Sequence, residues 1–136
     1  MLFREGYCLI NPESLSAKAE KIITGSETPV ISPLTEVEFA SALARKVRER
    51  QISFDSSNKI INELKSHLHQ SLFKKIPIGT DCYNLAFNWL SSKDIPLATL
   101  DSLHLAVSSL NNLKIITADK RLSRAARKLG IEYKLL

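Results

Sequence analysis

Between Leu100 and Leu110, apolar residues recur at the i, i+3, i+4 spacing of one helical face: Leu100, Leu103, Ala106, Val107 and Leu110. The spacing predicts a buried helix with the acid Asp101 in its first turn. The period then changes. Lys114 to Thr117 carries β-branched residues and predicts a short strand running into Asp119. A carboxylate just past the C-terminal end of a strand is where open α/β sheets place their chemistry. Two acids so placed point to a shared site.

Upstream, Tyr7 to Ile10 reads either as a short strand or as the end of a helix that begins before Met1. Asn11-Pro12-Glu13 is a turn, and Ser14 caps an amphipathic helix of Leu15, Ala19, Ile22 and Ile23 that reaches Thr24. Residues 25–28 form a loop, and Pro29 to Ile31 a short strand. Ser32-Pro33 starts a helix with a capping hydroxyl and a proline at its first position. It runs to Arg50, with a core face of Leu34, Val37, Ala40 or Ser41, Leu43, Ala44 and Val47. A second long helix from Ser53 carries Ile60, Ile61, Leu64, Leu68 and Leu72.

Lys75 to Ile78 predicts a strand, and Asp81 to Ser91 a helix that buries Leu85, Ala86, Trp89 and Leu90. Thr99 is placed to cap the Asp101 helix. After Asp119 comes a basic helix, Lys120 to Leu129, stopped by Gly130, and then a strand from Glu132 to Leu135. Short strands alternating with helices imply a parallel α/β sheet. No repeat or linker divides the chain, so residues 1–136 are expected to form one domain.

A hydrophobic share of 44% is enough to build a core, and the net charge of +5 is compatible with a nucleic-acid partner through phosphate neutralisation, though many basic proteins bind none. Cys8 and Cys82 form no CxxC pair and read as reduced thiols of a cytoplasmic protein. No apolar run is long enough for a membrane helix, and no signal-peptide core precedes Arg4-Glu5-Gly6.

Three acids carry candidate chemistry, each with a structural alternative. Glu38 lies among Leu34, Ser41 and Ala42, in packed rather than solvated surroundings, or else is a helix-surface glutamate. Asp101 could serve only the helix dipole, and Asp119 only as an N-cap. Carboxylates held together repel unless a cation compensates, and oxygen-only ligands suit Mg²⁺ or Mn²⁺. His104, one turn after Asp101, reads as a packed, hydrogen-bonded histidine rather than a ligand. His67 and His69 face different sides of their helix. Arg121, Arg124, Arg127 and Lys128 either meet RNA phosphates or form a solvated basic face. No GxSxG, P-loop, GxGxxG or Cys–His signature offers a rival scheme.

Leu100-Asp101-Ser102-Leu103-His104-Leu105-Ala106, followed by Ile116-Thr117-Ala118-Asp119-Lys120-Arg121-Leu122, closely resembles the C-terminal half of PIN-domain proteins. Within that family it looks most like the VapC-type toxins, which are metal-dependent ribonucleases. The run from Ser32 to Leu43 is similar to the PIN segment that bears the second acid, here Glu38. The resemblance spans residues 9–136 and is closest over 29–50 and 97–136. It implies a PIN-like three-layer α/β fold, a short, mostly parallel sheet flanked by helices. It further implies catalysis and Mg²⁺ or Mn²⁺ binding by Glu38, Asp101 and Asp119, with Thr117 orienting a carboxylate or a metal-bound water. An RNA substrate, an antitoxin protein as inhibitor and a homodimer complete the expectation.

The family carries a further acid after its first strand, in a Leu-Asp-Thr-Ser-like stretch that has no counterpart here. The favoured expectation is a chain that begins inside the family's first helix, without that strand and acid. Either the start is assigned too late, and upstream residues restore a strand ending in Asp, or this is a degenerate copy. The alternative makes Tyr7 to Ile10 the first strand, with Asn11 in the place of the aspartate. A chain so altered would be an active ribonuclease or a PIN-like module that binds RNA or an antitoxin without cutting.

Overall fold

Long-range pairing, more than local period, decides where the strands of this chain fall. The structure, a computed structural model, describes residues 2–4, 8–10, 29–70 and 73–136. Its elements are β1 (Leu2–Arg4), β2 (Cys8–Ile10), β3 (Pro29–Ile31), α1 (Pro33–Arg48), α2 (Phe54–His69), β4 (Lys74–Lys75), α3 (Thr80–Ser92), α4 (Thr99–Leu110), β5 (Ile115–Thr117), α5 (Lys120–Lys128) and β6 (Tyr133–Leu135). The expected helix from Leu15 to Thr24 and the turns on either side of it lie outside the described residues.

The strands form two three-stranded sheets. In one, β3 pairs antiparallel with β1 (Phe3 opposite Val30) and parallel with β4 (Val30 opposite Lys74). In the other, β5 lies between β2 and β6, parallel to both, with Ile10 opposite Thr117 and Thr117 opposite Leu135. A strand therefore does exist at Cys8–Ile10, which corrects the expectation of a chain without one and follows the alternative reading of Tyr7 to Ile10. The residue that follows it in sequence is Asn11. The strand β1 matches no expectation, because its partner is more than twenty residues away in sequence. The strand expected over Lys75 to Ile78 shortens to Lys74–Lys75. Ile76 still donates its amide to the Ile31 carbonyl at 2.8 Å, but Pro77 has no N–H to extend the ladder.

The core lies beneath α4. Ser102 to Ser108 are all buried, so this helix is covered on every side rather than along one stripe, while Leu100 and Leu110 at its ends are exposed. Leu103, Leu105, Ala106 and Val107 join Cys82 and Ala86 of α3, Val30 of β3, Ile115 of β5, and Leu122, Ala125 and Ala126 of α5 in one cluster. Helix α2 buries no residue fully. No helix among the described residues is long and apolar enough to cross a membrane.

Two expectations about helix starts change. Ser32 precedes α1 in extended conformation but makes no side-chain cap bond, so Pro33 at the first turn is the working signal there. Ala98, not Thr99, is the N-cap of α4. Ser53 does cap α2, its hydroxyl accepting from the Ser56 amide at 3.0 Å. Gly130 follows α5 at φ +70°, the left-handed geometry that closes a helix. A Cβ added there would touch nothing within 4 Å. Gly130→Ala is therefore expected to cost about 1 kcal/mol from backbone strain alone, measurable as a lower urea midpoint with an unchanged m-value.

The face of α1 is also corrected. Val37 is 66% exposed, and Ala40 and Ala44 are exposed as well. Leu43 is buried, and Leu34, Glu38 and Ala42 are half-buried. The helix thus turns its glutamate, not its valine, toward the protein.

Candidate active site

The strands β2 and β5 run parallel and end level with one another, so both open on the same edge. At that edge the chain leaves β5 through Thr117 and Ala118 and enters α5 at Asp119. Thr117 is fully buried, and its Oγ1 accepts the Asp119 amide at 3.0 Å, which bends the backbone into the helix. Asp119 is the N-cap: its Oδ1 accepts the amides of Arg121 at 2.7 Å and Leu122 at 3.4 Å. The capping alternative is thus realised, and it uses one of the two carboxylate oxygens.

Glu38 reaches the same neighbourhood from α1. Its Oε1 accepts a hydrogen bond from Nε2 of His104, which lies in the middle of α4 and is fully buried. His104 is the packed, hydrogen-bonded histidine that its apolar context predicts. Burial holds its pKa below the usual imidazole value, against the opposing pull of Glu38 and Asp101. The neutral ring donates from Nε2, which leaves Nδ1 buried and without a partner among the described residues.

Asp101 stands in the first turn of α4, half-buried, one turn before His104. Burial raises its carboxyl pKa above the usual range; His104 opposes the rise, the charges of Asp119 and Glu38 add to it, and Arg121 again opposes it. Asp101, at the start of α4, therefore lies within electrostatic reach of an acid on α1 and another at the start of α5. Arg121 and Arg124 are exposed on the outer face of α5.

Because the ionised form of Asp101 is costly in the folded chain, its contribution to stability is complete below the unfolded carboxylate pKa of about 3.9. That contribution is lost as pH rises through the elevated folded value. In metal-free buffer, Asp101→Asn is expected to raise the urea midpoint near neutral pH, with the gap closing toward about pH 3. A less stable variant near neutrality would contradict the raised pKa.

Among the described residues, no group of three His, Cys, Asp or Glu side chains stands close enough to enclose a metal ion. The donors nonetheless suit one in kind. They are carboxylates, the chemistry of hard cations, and Mg²⁺ is held by one or two carboxylates with several waters and substrate phosphates rather than by a full protein cage. A half-buried Asp101 beside two other acids is also the setting that a cation relieves. His67 and His69 belong to no such group.

The fold is thus an α/β one, with a parallel three-stranded sheet, an acid just past the end of its central strand, and a basic helix following that acid. The PIN-domain model matches residues 7–128, and the chain belongs to the PIN-domain family, a family of nucleases. The match includes β2 and all three acids. Comparison with curated proteins gives no match.

Sequence reasoning missed the partner of His104, although a signal was present. A histidine flanked by leucines in a buried helix must find a hydrogen-bond partner, and a helix with a glutamate among small residues supplies one.

Proposed function

We propose that this chain, as one PIN-like domain over residues 1–136, is a metal-dependent endoribonuclease of the VapC type, the toxin of a toxin–antitoxin pair. One arrangement carries this reading: Glu38 meets His104 one turn from Asp101 on α4, and Asp119 caps α5 just past the C-terminal end of β5. Of Glu38, Asp101 and Asp119, one or two would bind Mg²⁺ or Mn²⁺ directly and the rest through its waters. When bound, such an ion supplies charge to the phosphate and makes water a nucleophile near neutral pH. The chain's own part is to aim the acids: Thr117 and the helix cap fix Asp119, α4 carries Asp101, and His104 holds Glu38. Arg121 and Arg124 would bind the phosphates that flank the cut. An antitoxin that covers the acids, a homodimer and a cytoplasmic setting belong to the same proposal.

The test is cleavage of single-stranded and structured RNA by the purified chain with Mg²⁺ and with EDTA. Cuts only with Mg²⁺ are expected; cleavage unaffected by EDTA would refute metal dependence. A second reading, a module that binds RNA or an antitoxin without cutting, is favoured by Asn11, an amide, as the residue after β2. Its signature is RNA retained equally with and without Mg²⁺ and no cleavage.

A further inference from the structure

We propose that His104 is a positioning residue, which fixes the carboxylate of Glu38 beside Asp101 so that Glu38 serves the acid site in one orientation. The inference rests on the nuclease reading and adds to it a residue outside the acids.

Glu38 is half-buried on α1, and a glutamate in that setting has three side-chain torsions to order before it can act at one point. His104 removes this freedom. It sits on α4, 66 positions away in sequence, with no solvent exposure, and its Nε2 meets Oε1 of Glu38. The contact takes one carboxylate oxygen and leaves the other to the site. Asp101, His104 and Ser108 stand at i, i+3 and i+7 of α4, along one stripe of the helix. His104 Nδ1 and Ser108 Oγ are both buried and both lack a partner among the described residues. Through one bridging water, the Ser108 hydroxyl one turn along would keep Nδ1 an acceptor and the proton on Nε2, where Glu38 needs it. The line Ser108–His104–Glu38 thus runs from the core to the acids. With Nε2 engaged and the ring sealed from solvent, His104 orients a ligand rather than serving as one.

Two variants and one measurement on the unaltered chain test this. His104→Leu keeps bulk and removes the donor, whereas the amide of His104→Gln reaches the position of Nε2. His104→Leu is expected to lower kcat for RNA cleavage about 10- to 100-fold, the usual effect of losing a partner behind a ligand, with KM for RNA little changed; His104→Gln should restore most of it. In the unaltered chain, titration with Mg²⁺ alone should shift the ring-nitrogen resonances of His104 and leave those of His67 and His69 in place. A purely structural histidine would not respond to the ion, and this measurement stands even where His104→Leu fails to fold. Mg²⁺-dependent cleavage with a silent His104 resonance, or with both variants as active as the parent, would overturn the inference and leave the nuclease reading intact. An unaltered chain that neither cuts RNA nor responds to Mg²⁺ would sink the nuclease reading, and the positioning role with it.

Discussion

Asp119→Asn is expected to lower RNA cleavage by at least about a hundredfold while leaving the fold as stable as before. The two halves of that expectation come from two jobs of one side chain. As an N-cap, Asp119 needs only an oxygen that accepts the amides of Arg121 and Leu122, and asparagine caps about as well as aspartate. As one of the three acids of the proposed site it needs its charge, which the amide lacks. Asp101→Asn should remove activity to a similar degree, and here stability near neutral pH should rise rather than hold. Cleavage rates and urea midpoints measured on both variants separate the roles. If Asp119→Asn retained full cleavage, Asp119 would be a helix cap alone. Asp119→Ala, by contrast, should lose the activity and also about 0.5–2 kcal/mol of stability.

The largest loss of stability is expected from Leu105→Ala. Leu105 has no exposed surface and sits at the centre of the cluster that joins α3, α4, β5 and α5. Truncation removes buried methyl groups and leaves a cavity that a close-packed interior only partly closes, at a cost of about 2–5 kcal/mol. Against a total stability on the order of 5–15 kcal/mol, this is a large fraction. Chemical denaturation should show it as a lower midpoint. Leu100→Ala and Phe87→Ala, at positions 44% and 68% exposed, serve as controls and should cost far less. Equal losses at all three would mean that α4 is not the centre of the core.

Features with a local cause are legible in the amino-acid sequence. Helix α5 shows this well: its cap Asp119, its inward Leu122, Ala125 and Ala126, its outward arginines and its closing Gly130 all interact within one or two turns. The strands β3 and β5 are legible too, as short β-branched runs. The start of the chain is less legible, because β1 and β2 carry one β-branched residue between them and owe their state to partners at Pro29–Ile31 and Ile115–Thr117.

The phase of α1 escapes the sequence pattern for a related reason. By hydrophobicity, Val37 should face inward and Glu38 should not, yet Val37 is exposed and Glu38 meets His104. A buried imidazole on another element offsets one valine, since leaving a polar group unpaired in the core costs about as much as one apolar side chain gains by burial.

By itself, then, the sequence determined which segments among the described residues are helices, which acids were candidates and which family motif they belong to, because caps, periods and motifs act between near neighbours. Only the tertiary structure decided that Cys8–Ile10 is a strand beside β5, which way α1 faces, and that Glu38 is held by His104. Those outcomes depend on contacts between residues far apart in the chain, whose energies no local pattern encodes.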